Sequence, residues 1–413
     1  MTSAVITIGN EILLGTTLNT NMAYLGAALA KLGIPLAYSV VVKDDPEQIL
    51  QALADTWGKY DVVISTGGLG PTEDDLSKAA IAQFFGTQLY FDEVVWQYVQ
   101  SLFAIRGMKT PETNRSQAMV PAGFTVLKNE RGTAPGLYYK KEESCFFALQ
   151  GVPLEMKYIF ETHIRGILKT SYPFAKQVYQ KTIHTHGVSE SKLAELFPLA
   201  ALPKVNCPEE LSLAWLPQTG RVDLRFYGSS QKLIDEARSK ALKIVAPYVW
   251  GFDNEVPAQV LLKLLVEKNH TLSAAESCTG GWLQKLITDQ PGSSQAFVGG
   301  AVSYANEIKQ SLLQVSENTL TAHGAVSEEC ASEMVTGIKR LTNSSHALSV
   351  TGIAGPDGGS VEKTVGTVYF GFIAATKCWT IKQIFTGDRD SIRLKAAEFA
   401  ILELIKTLQG RNN

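Results

Sequence analysis

A chain of 413 residues is too long for one typical domain and predicts two or three, each able to bury a core. Hydrophobic residues make up 45% and charged residues 19%, and the formal net charge is −2. That balance excludes a disordered chain and disfavours nucleic acid as the main ligand. No apolar run approaches the roughly 18 residues of a membrane span. The start, MTSAVITIGNEILLG, lacks the charged and cleavable regions of a signal peptide, and the five cysteines are scattered with no CxxC pair. These features predict a soluble cytoplasmic protein with reduced thiols and no membrane partner.

From Ala4 to about Gly166 strand and helix patterns alternate. AVITIG, PLAYSVVV and DVVIST read as strands, with helices over NTNMAYLGAALAKLG and EQILQALADTWG between them. SCFFALQG reads as a late buried strand and PLEMKYIFETHI as the helix after it. Repeated strand–helix units imply parallel strands joined by right-handed crossovers, so residues 1–167 are expected to form a layered α/β domain.

Within it, TGGLGPTEDDLS (66–77) follows a strand and carries chemistry. Gly67, Gly68 and Gly70 make a loop whose backbone can approach a phosphate, and Glu73, Asp74 and Asp75 open the next helix. Any one acid there also serves as a helix cap. Three beside such a loop point to a hard divalent cation shared with phosphate oxygens. No GxxxxGK[ST] is present, which excludes a P-loop. Glu11, at the end of the first strand, belongs to the same carboxyl edge, where parallel sheets bind ligands. The loop KNERGTAPG (128–136) adds glycines and polar groups suited to a nucleotide.

Residues 168–252 change character, with strands expected in VYQKTIHTHG, ELSLAWLP and RVDLRFYG and helices in SESKLAEL and QKLIDEARSKALKIV. We read a small α+β connector domain without concentrated chemistry. FDNEVP (252–257) mixes charge with proline and reads as a linker. Residues 253–413 return to α/β, from the amphipathic helix PAQVLLKLLVEKNH through strands TLSAA, FVGGAVSY, ALSVTGIAG and TVGTVYFGFIAA to the terminal helix KAAEFAILELIKTL.

In that third segment AAESCTGG (274–281) is a strand, a sharp turn and a helix start. Gly280 and Gly281 permit tight backbone geometry, and the helix directs free N–H groups at the turn. The turn holds up a nucleophile, or it is an ordinary loop with Ser or Thr capping the helix. A nucleophile needs a base, and the histidines do not supply one. His270 and His346 start their strands at the far end, and His323 lies in a loop. A lysine of lowered pKa is the other option, because Ser–Lys pairs are a known variant of the triad logic. Lys309, in SYANEIKQSLL, sits outside any charge run. TGIAGPDGG (351–359) is either a loop presenting backbone N–H groups or a hairpin turn. Arg389 in GDRD suits a phosphate or a surface ion pair.

AESCTGG, PGSS, VSYANEIK, HGAVSEE, VTGIAGPDGG, GTVYFGF and GDRD occur in order, and through them residues 256–410 resemble the C-terminal domain of CinA proteins. This is the PncC-type nicotinamide mononucleotide (NMN) amidohydrolase domain. The resemblance implies hydrolysis of NMN to nicotinate mononucleotide and ammonia by a serine–lysine pair, with no cofactor. Ser277 would be the nucleophile, Lys309 the general base, and Tyr304 an aid to proton transfer. Ser294 and Arg389 would bind or orient substrate, with Thr279, Thr351 and Gly352 lining the pocket. Cys278 is the rival nucleophile, because thiolates beside helix N-termini are activated.

GNEILLG, NTN, STGGLGPTEDD, ETNRSQAMVPAG, NERGTAPG and GVPLEM make residues 3–166 similar to the MoaB/MogA-like molybdopterin-binding fold, a three-layer α/β domain, in the version found at the N-terminus of CinA proteins. That implies an ADP-ribose pyrophosphatase producing AMP and ribose 5-phosphate with a divalent metal, Mg or Co. Glu11, Asp74 and Asp75 are the expected metal ligands, and Gly67, Gly68 and Gly70 the pyrophosphate loop. Asn19 stands where many relatives of that fold carry aspartate, which makes molybdopterin chemistry less expected. A homodimer is implied by the same resemblance. Two alternatives stay open: only the C-terminal site is active and the first domain binds a nucleotide or pterin, or the chain is a competence-related regulatory adaptor.

Overall fold

The structure is a computed structural model of the chain, described for all residues except 73–74, 174–177, 206, 208, 219 and 412–413. It divides into two compact units, Met1–Tyr179 and Gln180–Asn413. Among the described residues no helix is long and apolar enough to cross a membrane.

The first unit is built on a six-stranded sheet in the order Leu36–Val42, Ser3–Ile8, Val62–Thr66, Ser144–Leu149, Gly136–Lys141, Thr125–Leu127. The first four strands are parallel, as the strand–helix alternation requires. The last two run antiparallel, which the sequence reading did not anticipate. The cause is local: only Glu142 and Glu143 separate Lys141 from Ser144, and Glu142 takes φ 54°. Two residues close a hairpin but cannot make a crossover. Ser3–Ile8 and Val62–Thr66 are buried throughout. Alternate side chains feed two cores, with Ala4, Ile6 and Val63 on one face and Val5, Val62 and Ile64 on the other.

The second unit holds two sheets. Four strands lie in the order Ser212–Gln218, Arg221–Gly228, Tyr179–His186, Val249–Phe252. FDNEVP is not a free linker. Phe252 closes the last of these strands, and the Asp253 carboxylate accepts from the Thr182 amide at 2.9 Å, so the turn into the helix Pro257–Glu267 is tied down.

The second sheet has the order Phe297–Val302, Leu272–Glu276, His346–Gly352, Thr367–Ala374, Lys377–Ile384. Its first three strands are parallel and its last two antiparallel. The helix Glu328–Thr342 sends Cys330, Met334, Val335 and Ile338 against one face. The helix Arg389–Leu408 sends Ala396, Ala400 and Leu404 against the other, where Phe370 and Phe372 lie. Parallel order puts the C-terminal ends of Leu272–Glu276, Phe297–Val302 and His346–Gly352 at one edge.

At the opposite edge His346 is buried and its Nε2 lies 2.8 Å from His270 Nδ1. The Ala375 amide donates to His346 Nδ1 at 3.1 Å, so the neutral ring carries its proton on Nε2. Burial, helped by His270, pushes its pKa down to about 4. The unfolded chain therefore binds this proton first on acidification, and stability held above the ordinary histidine value of 6.5 is lost as pH falls from there to about 4. The expected loss is up to about 3 kcal/mol. It is read as a fall in urea midpoint between pH 7 and pH 4.5 that His346→Gln flattens.

Candidate active site

Ser277 continues the strand Leu272–Glu276 by one residue: its amide donates to Val350 O at 2.9 Å, as a ladder bond would. The chain then turns sharply, with Gly280 at φ 59° and Gly281 at φ 94°. Glu276 fixes the turn. Its buried carboxylate accepts from the amides of Gly281 (2.9 Å), Leu283 (3.1 Å) and Gln284 (2.8 Å) at the start of the helix Trp282–Thr288. The helix is thus capped by Glu276, not by a Ser or Thr of the turn, and the Ser277 hydroxyl is left for other work.

Lys309, 1% exposed, reaches that hydroxyl from the helix Asn306–Leu313. Its Nζ lies 3.1 Å from Ser277 Oγ and 2.8 Å from each of the carbonyl oxygens of Ser303 and Tyr304. The two carbonyls decide the proton arrangement. A neutral amine has two N–H donors and one lone pair, and a carbonyl can only accept. In the neutral form both N–H groups go to Ser303 O and Tyr304 O, which leaves the lone pair facing Ser277. Burial holds the Lys309 pKa below its ordinary value, which favours that neutral form. The flanking thiols add no charge: burial pushes Cys330 up to about 11 and Cys278 up to about 12. Cys278, 5% exposed and packed in the core, is a protonated thiol, which weakens it as rival nucleophile.

The other expected residues divide. The Tyr304 side chain turns outward, and its hydroxyl accepts from Arg389 at 2.9 Å, so it is the Tyr304 backbone that touches the amine. Arg389 also donates to Gly355 O at 2.5 Å, tying the glycine loop to Tyr304. Thr279 is buried on the turn, with its Oγ1 unpartnered among the described residues. Thr351 reaches the same edge, but its hydroxyl donates to Ala325 O at 2.6 Å. Gly352 is required by packing, since a Cβ there would sit 2.8 Å from Thr367 O and 2.7 Å from a Val368 methyl. Ser294 does not join them. It precedes the strand Phe297–Val302 and so lies at the opposite edge, about 20 Å away along a six-residue strand.

Arg393 was missed by the sequence reading. Four residues after Arg389 on the same helix face, it donates to Thr279 O at 2.9 Å, with its guanidinium 5.1 Å from the Trp282 ring centre. The DRDSIR spacing carried that signal. Ser303 was missed too, because its contribution is a backbone carbonyl.

In the first unit a cleft of about 400 Å³ opens at the carboxyl edge of the parallel strands. Gly67, Gly68, Gly70, Glu11 and Asp75 all line it, while Asp74 lies outside the described residues. Gly67 has a structural reason as well: at φ 117°, a Cβ would sit 2.0 Å from Ile8 O. Asp44 and Glu155 also line the cleft and were missed, although KDDP and GVPLEM each follow a strand. The Asp75 carboxylate accepts from the Thr72 amide and hydroxyl at 2.9 and 2.6 Å. Glu155 accepts from Asn129 at 2.6 Å, while burial raises its pKa. Asn19 caps the helix Thr20–Ala30 through the Met22 amide. Among the described residues the lining holds these four carboxylates and no lysine or arginine. None of the described His, Cys, Asp or Glu residues form a group of three close enough to hold a metal by themselves.

These features define an α/β protein with a molybdopterin-binding-type first unit. Residues 4–170 match the family described as "Probable molybdopterin binding domain", and residues 254–408 the family described as CinA C-terminal domain. The chain belongs to the CinA family. A competence-damage inducible protein of Caldanaerobacter subterraneus is 39% identical, over 100% of this chain and 99% of its own. A CinA-like protein of Syntrophomonas wolfei is 38% identical over 97% of each chain. The solved CinA structure from Thermoplasma acidophilum is 34% identical and covers 40% of this chain and 97% of its own, with a TM-score of 0.38.

Proposed function

We propose that the second unit is a nicotinamide-nucleotide amidase that converts NMN to nicotinate mononucleotide and ammonia. The observation that carries this reading is the Lys309 amine, buried, pinned by two carbonyls and aimed at Ser277 Oγ. Ser277 Oγ attacks the carboxamide carbon while Lys309 takes the hydroxyl proton. The C–N bond then breaks, and Lys309 returns the proton to the leaving ammonia. Water, deprotonated by Lys309, hydrolyses the resulting ester and frees Ser277. Arg389, exposed and without a carboxylate among its described partners, supplies positive charge for the substrate phosphate. An adaptor has no use for a buried amine–hydroxyl contact, which weighs against the regulatory alternative.

The test is ammonia release from NMN as a function of pH. Because only the neutral amine acts as base, kcat/KM is expected to rise with pH through an inflection below 10.5, the ordinary lysine value. A flat profile, or no ammonia, contradicts the reading.

For the first unit we propose hydrolysis of ADP-ribose to AMP and ribose 5-phosphate. A diphosphate entering a cleft lined by four carboxylates and no described cation meets repulsion unless metal ions accompany it. Glu11 and Asp75 fit that need as a partial donor set: Mg ions are commonly held by one or two carboxylates together with substrate phosphates. Once bound, the metal neutralises phosphate charge and lowers the pKa of water. AMP formation that stops with EDTA and weakens tenfold or more in Glu11→Gln is the expected result; unchanged hydrolysis in EDTA contradicts it. We further propose that the chain works as a homodimer.

A further inference from the structure

We propose that the four-stranded sheet of the second unit positions the active site from a distance. His186 and Arg221 grip the terminal helix Arg389–Leu408 at Glu403 and Glu398, and so set where Arg389 stands at the active-site edge. The inference rests on the reading of Arg389 as the cation for the substrate phosphate. His186 and Arg221 are positioning residues, acting through the helix.

The helix needs such a hold. Ala396, Ala397 and Ala400 lie fully buried in its core-facing stripe. Apolar burial is non-directional, and packed helices shear by about 1–2 Å in conformational transitions. A stripe of small side chains offers little that interlocks against such a shift. Directional polar contacts fix what the alanines leave free. At the active-site end Arg389 donates only to neutral oxygens, Gly355 O and the Tyr304 hydroxyl.

The charged contacts lie at the other end, fourteen residues and about 21 Å along the helix. His186 closes the strand Tyr179–His186. Its Nδ1 lies 3.2 Å from Gly220 O and its Nε2 3.2 Å from a Glu403 carboxylate oxygen. A carbonyl and a carboxylate only accept, so both ring nitrogens donate and the ring meets Glu403 as an imidazolium. The two side chains are 8% and 15% exposed, and the ring stands edge-on to Phe399 at 5.5 Å. Burial pushes the Glu403 carboxyl up, but the hydrogen bond and charge of His186, with Lys406, hold it below its ordinary value. Five residues earlier, Glu398 lies 4.0 Å from Arg221 Nη2. Gln218 Oε1 accepts from that guanidinium at 2.8 and 2.6 Å, and the Trp250 ring centre is 5.6 Å away, so Arg221 is itself fixed to the sheet. The two strands that carry His186 and Arg221 are neighbours in one sheet.

The test is a mutant cycle on the full chain with NMN as substrate. Glu403→Ala and His186→Ala are each expected to raise KM fivefold or more and to change kcat less than twofold. In an Arg389→Ala background, adding Glu403→Ala is expected to change KM less than twofold, because a cation that is gone cannot be misplaced. Glu403→Gln is expected to keep KM within twofold of the parent chain: its amide donates to Nε2 of a neutral ring whose Nδ1 still donates to Gly220 O. An unchanged KM in both alanine variants, or effects of Glu403→Ala and Arg389→Ala that multiply, overturns the proposal. If the parent chain releases no ammonia, the amidase reading fails and hydrogen exchange decides the positioning by itself. Exchange at Ile392 and Arg393 that is tenfold faster in Glu403→Ala, and restored in Glu403→Gln, upholds it. Faster exchange confined to residues after Glu398 overturns it.

Discussion

Ser277→Ala and Lys309→Met are each expected to lower kcat for ammonia release from NMN by at least about 1000-fold, and the double variant by little more than either single one. The near-equality follows from the geometry. Ser277 Oγ has no other described partner that could take its proton, and the Lys309 lone pair has no other hydroxyl to face. Removing either group removes the same step. Lys309→Met retains much of the volume of the buried side chain, so thermal unfolding distinguishes lost chemistry from lost fold. Cys278→Ala is expected to keep most of the activity, since its thiol is buried and protonated.

Glu276→Ala is the second large effect, and it acts on stability and rate together. Three amides at the start of the helix Trp282–Thr288 lose their only described acceptor, and the site is too buried for water to replace it freely. The expected cost is about 3 kcal/mol, more than a typical helix cap because three bonds to one charged group fail at once. The same carboxylate holds the residues after Ser277, so kcat is expected to fall in protein that remains folded. Glu276→Gln, which retains one acceptor oxygen, is expected to recover part of both losses. Denaturant midpoints and steady-state rates on the three proteins check this.

Much of the fold was legible because parallel strands and their helices leave long apolar patterns. The strands Ser3–Ile8 and Val62–Thr66 are buried on both faces and read as unbroken β-rich runs. Lys377–Ile384 was not read, because an edge strand half open to solvent carries Lys377, Thr380, Lys382 and Gln383 in place of an apolar run. The hairpin at Glu142–Glu143 was missed for a related reason: its turn residues are charged, not the Asn-Gly type that announces such a turn.

The site was legible unevenly. The turn at Ser277 could be seen locally, as a strand running into two glycines. Its base could not, because Lys309 lies 32 residues away and its burial is a property of packing, so only the family resemblance connected the two. Glu276 was hidden beside the residue it serves, since an acid before a glycine turn does not reveal which amides it will accept. Ser294 and Thr351 show the opposite failure. Each stands in a motif, yet one is placed at the far edge and the other spends its hydroxyl proton on Ala325.

The proposed chemistry stands on Ser277 as nucleophile and Lys309 as its base. It is tested most directly by quenching the protein with acid during turnover of NMN and mapping any acyl adduct by peptide mass spectrometry. The expected result is a nicotinate mononucleotide ester on Ser277, present in the parent chain, absent from Ser277→Ala, and barely formed in Lys309→Met. An adduct on Cys278, or ammonia released at full rate by Ser277→Ala, would contradict the account.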